Sequence, residues 1–139
     1  MSNTINYTLT PIGFIESPIK QRSDAPKQGY EGAPDVWLQV NADAAAALEG
    51  LVAGDDLILI TWFHQSRRDI LNVHPRGDKN NPLTGVFATR SPDRPNPLGL
   101  HQVKLLEITG TRLKVGPLEA LDGTPVVDIK PVLSQSQDA

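Results

Sequence analysis

Proline and glycine interrupt this chain too often for long helices to fit between them. Its 139 residues include 12 Pro and 11 Gly. Each Pro fixes φ and removes a backbone donor, and each Gly favours turns. Small strands joined by stiff loops are the expected product. The length suits one domain, since domains cluster near about 100–150 residues, and an apolar fraction of 39% suffices for a modest core. The organisation read is a single domain over residues 1–133 and a fraying tail at 134–139 (SQSQDA).

Residues 10–16 (TPIGFIE) read as an early strand and residues 36–40 (VWLQV) as a half-buried one. The irregular polar stretch at 19–34 lies between them, and loops of that length in compact domains are usually functional or mobile. Asn41 or Asp43 is placed to cap the Ala-rich DAAAALEGL, the one clear helix, which Gly50 or Gly54 closes. The run 57–63 (LILITWF) is short and β-branched enough for a strand buried on both faces. After a polar loop at 67–83 come a strand at 85–89 (GVFAT), a hairpin of 102–108 and 112–115 turning at Thr109-Gly110-Thr111, and a last strand at 126–131 (VVDIKP). Strands with a single helix and no regular alternation of the two disfavour a parallel α/β sheet. They predict an all-β fold, a small mainly antiparallel barrel or sandwich with long Pro- and Gly-rich loops. No GxGxxG opens a helix after a strand, so a Rossmann route to nucleotides has no support.

The absence of Cys removes thiolate nucleophiles, disulfides and Cys-based zinc sites, and three scattered His do not suggest a metal cluster. No apolar run approaches the roughly 20 residues that span a bilayer. The N-terminus MSNTINYTLT has neither a basic start nor an apolar signal core. A soluble cytoplasmic protein is expected. The net charge of −3 argues mildly against a dedicated nucleic-acid binder. The middle of the chain is nevertheless basic: between His64 and Lys104 there are seven cations against three anions.

The segment 90–99 (RSPDRPNPLG) carries the clearest chemistry. Its three prolines push Ser91, Arg94 and Asn96 toward extended geometry, so the loop is stiff before a ligand arrives. Arg90 and Arg94 can each grip a carboxylate or phosphate through two parallel hydrogen bonds. A rigid structural turn with solvated arginines is the competing reading of the same residues.

GVFATRSPDRPNPLGL resembles the signature of the TrmO (TsaA-like) family of tRNA N6-threonylcarbamoyladenosine methyltransferases, and LDGTPVVDIKP resembles its second signature. His64-Gln65 after an apolar strand and the early PIGFIESP fit the same pattern, and the likeness spans about residues 10–133. It implies a β-barrel that forms a homodimer and holds S-adenosylmethionine in a cleft near the subunit interface. The implied cofactor contacts are Gln28, Gly29, Tyr30, His64, Gln65, Arg90, Leu100, Asp122, Gly123, Thr124 and Pro125. Arg90 suits the cofactor's carboxylate and the backbone around Gly123 and Leu100 suits adenine.

Methyl transfer to a poorly nucleophilic urea-like nitrogen invites a base, with His64, Tyr30 and Asp128 as candidates. Asp128 equally suits a structural pairing with Lys130. Arg67, Arg68, Arg76, Lys79, Arg94 and Asn96 would meet the tRNA anticodon loop, whereas Trp62 and Phe63 read as core, and His74 and His101 as ordinary structural histidines. Longer family members continue past the VDIKP region, whereas this chain ends at Ala139. Two further functions stay open: a non-catalytic S-adenosylmethionine or nucleotide sensor, and a methyltransferase acting on a small metabolite.

Overall fold

The computed structural model describes residues 4–21 and 32–133. Eight strands form among the described residues: β1 (Gly13–Glu16), β2 (Val36–Val40), β3 (Asp56–Trp62), β4 (Asn72–Val73), β5 (Thr84–Gly85), β6 (Leu98–Thr109), β7 (Arg112–Gly116) and β8 (Pro125–Pro131). Six of them close an antiparallel barrel in the order β1-β2-β7-β6-β3-β8, while β4 and β5 form a separate two-stranded ribbon. Closure pairs every barrel edge. Of the two architectures that the strand pattern left open, the barrel is the one formed.

The barrel interior follows the period-two pattern of its strands. Ile15, Val36, Leu38, Val40, Leu57, Leu59, Val103, Leu105, Leu113, Val115 and Val126 are all buried, and Leu118 and Ala120 from the β7–β8 connection join this core. The strand β6 is long enough to pair with β3 along its first part and β7 along its second, and a register shift between Leu105 and Glu107 bends it from one partner to the other. The β6–β7 hairpin turns at Gly110, whose φ of 61° is the left-handed region that glycine enters without steric cost.

Three sequence expectations are corrected. The strand β3 is not buried on both faces: Leu57, Leu59 and Thr61 point inward, whereas Ile58, Ile60 and Trp62 are only half-buried on the outer wall. The Ala-rich segment is a 3-10 helix, Ala42–Leu48, with no side-chain cap, and it buries none of its residues. Alanines offer too little apolar surface to anchor a longer helix, and one so short gains little from propagation. The Asn41 amide instead donates to the Pro11 carbonyl, at 3.2 Å. The GVFAT segment is strand only at its start, since Val86–Ala88 forms a 3-10 turn, and the polar loop before it contains β4 and a further turn at Pro75–Gly77. Among the described residues no helix is long and apolar enough to cross a membrane.

Candidate functional site

At one end of the barrel the inward-facing rows change character. Along β3 the row runs Leu57, Leu59, Thr61, and along β6 it runs Leu105, Val103, His101, Gly99, so that aliphatic core gives way to polar and small residues. The barrel opens there into a cavity of about 1050 Å³. Phe63 and His101 line its inner part. Its walls come from His64, Gln65 and Ser66 after β3, from residues 73–77, from residues 87–93, and from Glu119, Ala120, Leu121 and Thr124 before β8.

The wall at 87–93 is held rigid by a guanidinium turned inward. Arg94 Nη1 donates to the Thr89 and Ser91 carbonyls, each at 3.1 Å, and Nη2 to the Val86 carbonyl at 2.8 Å. Its own N–H reaches the Arg67 carbonyl. Arg68 ties the end of the same loop to β3: Nε donates to the Pro95 carbonyl at 2.6 Å and Nη2 to Asn96 Oδ1 at 2.9 Å, with the guanidinium 5.2 Å from the Trp62 ring centre. The Asp93 carboxylate accepts from the Arg67 N–H, and the Arg67 side chain pairs with Asp69 at 2.8 Å. These struts leave Arg90 exposed on the cavity wall with no hydrogen bond or ion pair to any described residue.

Among the expected cofactor contacts, the cavity therefore gathers His64, Gln65, Arg90 and Thr124. Asp122, Gly123 and Pro125 are close in sequence but do not line it. Asp122 bridges the Ser17 N–H at 2.9 Å and Lys20 at 3.0 Å; the first of these, then the second, holds its carboxyl below the ordinary carboxylate range. Leu100 lies on the outer wall, paired with Ile60 of β3. Asp128 accepts from the Ile129 N–H and pairs with Lys130 at 3.3 Å, away from the cavity. Of the cations expected to face RNA, Arg76 lines the cavity and Lys79 is exposed, whereas Arg67, Arg68 and Arg94 are spent on the loop contacts above. Gln28, Gly29 and Tyr30 lie outside the described residues.

Sequence reasoning missed Phe63, His101, Phe87 and residues 119–121 as cavity residues. His101 was legible in principle, as an inward position of an alternating strand occupied by a polar residue. Its Nε2 lies 2.8 Å from Thr61 Oγ1, its ring meets Phe63 edge-on at 5.8 Å, and burial pushes its pKa from 6.5 down to about 4. The imidazole is therefore uncharged at neutral pH. No group of three or more His, Cys, Asp or Glu placed to hold a metal occurs among the described residues.

Residues 14–138 match the family described as tRNA-methyltransferase O N-terminal domain. A protein of Methanothermobacter thermautotrophicus named "Probable S-adenosyl-L-methionine-binding protein" is 43% identical over 123 residues, covering 88% of each chain. One of Archaeoglobus fulgidus named "S-adenosyl-L-methionine-binding protein" is 43% identical over 122 residues, covering 88% of this chain and 86% of its own. The crystal structure of TrmO from Pseudomonas aeruginosa matches with a TM-score of 0.74 at 32% identity, over 97% of this chain and 60% of that one. Another TrmO crystal structure matches at 0.77 and 31%, again over 60% of its length. This chain thus spans about three fifths of the crystallised TrmO chains.

Proposed function

We propose that this chain, which belongs to the tRNA-methyltransferase O N-terminal domain family, binds S-adenosylmethionine in the cavity at the barrel's open end and methylates N6 of threonylcarbamoyladenosine beside a tRNA anticodon, in the cytoplasm. The observation that carries the reading is Arg90, a guanidinium free for a ligand on a wall that Arg94 and three prolines hold still. The relatives named for S-adenosylmethionine binding support the cofactor, and the family description supports a tRNA acceptor.

The residues present fit the cofactor. A volume of about 1050 Å³ lies just above the range, about 300–1,000 Å³, usual for small-molecule sites, which leaves room for part of an acceptor. Arg90 offers a bidentate partner to the carboxylate. Phe63, Ala120 and Leu121 supply apolar lining, and the uncharged His101 adds no positive charge against a sulfonium. When bound, the cofactor supplies an electrophilic methyl group. The chain's part is to fix the approach angle and exclude water, which alone accounts for a large share of barrier reduction in displacements of this kind. Of the two candidate bases among the described residues, His64 lines the cavity and Asp128 does not, so His64 takes the acceptor's proton in this reading.

The outer wall supports a second copy of the chain. Ile58, Ile60 and Trp62 of β3 stand beside Leu98 and Leu100 of β6, and the two leucines are 41% and 53% exposed. Leu100 points away from its own cavity, so the cofactor contact that the resemblance implies for it requires a neighbouring copy that brings it to the neighbour's cavity.

Calorimetry with S-adenosylmethionine, followed by nucleoside mass spectrometry after incubation with threonylcarbamoylated tRNA, tests the proposal. Binding that falls in Arg90→Ala, with a gain of one methylene mass on the modified nucleoside, is the expected result. Tight cofactor binding with no product on tRNA would favour the sensor reading, to which the relatives' names as binding proteins lend weight.

A further inference from the structure

His101 lines the cavity and pairs with Thr61, which is buried behind it. Thr61 faces Gly99 and Leu59 faces His101 across β3 and β6, so Thr61 and His101 sit diagonally on the inner face. Thr61 is fully buried, and His101 Nε2, at 2.8 Å, is its one side-chain partner among the described residues. A buried hydroxyl proton without an acceptor is costly, so the Thr61 hydroxyl donates and Nε2 accepts. A neutral imidazole that accepts at Nε2 carries its proton on Nδ1.

Nδ1 has no partner among the described residues. Among the described residues no fully buried side-chain nitrogen or oxygen lacks a partner, so Nδ1 is not sealed in the core, and the space that His101 lines is the cavity. Gly99 makes the arrangement sterically allowed. A Cβ there would stand 2.5 Å from Thr61 Oγ1, 2.5 Å from Phe63 Cζ and 2.7 Å from His101 Nε2, well inside ordinary contact. The ring is thus held by a hydroxyl on one side and by the Phe63 ring at an interplanar angle of 84° on the other.

We infer that His101 is a fixed hydrogen-bond donor on the cavity floor, and that its Nδ1–H recognises an acceptor nitrogen of the purine of the bound nucleoside. This rests on the cofactor reading above and gives His101 a hydrogen-bonding role that the reading does not assign. A purine ring nitrogen is a directional acceptor that sheds water cheaply. A carboxylate set against an uncharged donor and the apolar Phe63, Ala120 and Leu121 would lose hydration without a countercharge. The division of labour follows: the anionic end of the ligand goes to Arg90 on the exposed wall, and the flat neutral end to the floor.

Paired carboxamide substitutions test this. In His101→Asn the side-chain amide reaches the position of Nδ1, whereas in His101→Gln it reaches that of Nε2 and keeps the Thr61 contact. Titrations with S-adenosylmethionine and with 5′-deoxy-5′-methylthioadenosine, which retains the purine but lacks the carboxylate, are compared for both variants, with circular dichroism as the fold control. His101→Asn should stay near wild-type affinity for both probes, and His101→Gln should weaken both by about fivefold to tenfold, the range of one neutral hydrogen bond. Equal affinities in the two variants, loss in Asn alone, or an effect confined to S-adenosylmethionine would overturn the inference while leaving the cofactor reading intact. A wild-type chain that binds neither probe would overturn both. Independently of any variant's folding, nitrogen NMR of the wild-type imidazole should show the Nδ1-protonated tautomer, and the Nε2-protonated form would sink the proposal.

Discussion

His101 links stability to pH at the scale of one residue. Its pKa is about 4 in the folded chain because burial disfavours the imidazolium, against 6.5 when unfolded. Between those values the unfolded chain binds the proton and the folded chain does not, so the stability that His101 contributes falls as pH drops from 6.5 to 4 and is level on either side. The span corresponds to on the order of 3 kcal/mol. Urea unfolding at pH 7 and pH 4.5 measures it, and His101→Gln should remove most of the difference between the two conditions. The inward position could be read from the alternation of β6, but the pairing could not. Thr61 is 40 positions away, and only the β3–β6 register brings the two together.

The proline-rich loop shows the same division at the scale of an element. That it is stiff was legible, because three prolines within eight residues restrict φ whatever the context. Which arginine faces a ligand was not. Arg90 and Arg94 carry the same donors, and the contacts with Thr89, Ser91 and Val86 turn Arg94 into an internal strut while Arg90 stays on the cavity wall. Arg94→Ala therefore strands three carbonyls, and it should lower S-adenosylmethionine affinity by about tenfold, the effect of about 1.4 kcal/mol of lost preorganisation, although Arg94 does not line the cavity. Calorimetry gives the affinity, and amide exchange across residues 86–93 should rise in parallel. An unchanged affinity would mean that the prolines alone hold the wall.

On the scale of the whole molecule, the apolar strip formed by Ile58, Ile60, Trp62, Leu98 and Leu100 predicts association between copies. Leu100→Glu places a charge at the centre of that strip, and it should shift the mass seen by light scattering from dimer to monomer while the far-ultraviolet dichroism of the barrel is kept. A wild-type monomer at micromolar concentration would contradict the assignment. The chain by itself determined the all-β class, the positions of most barrel strands, the stiff loop and the family likeness, because these depend on the order of neighbouring residues: period-two apolar alternation, fixed proline torsions and contiguous motifs. Tertiary structure alone decided that the sheet closes, that the aliphatic interior ends in Thr61, Gly99 and His101 at one mouth, and which of Arg90 and Arg94 is left without a partner among the described residues. Those outcomes depend on registers between distant strands and on desolvation, and neither is a property of residues adjacent in sequence.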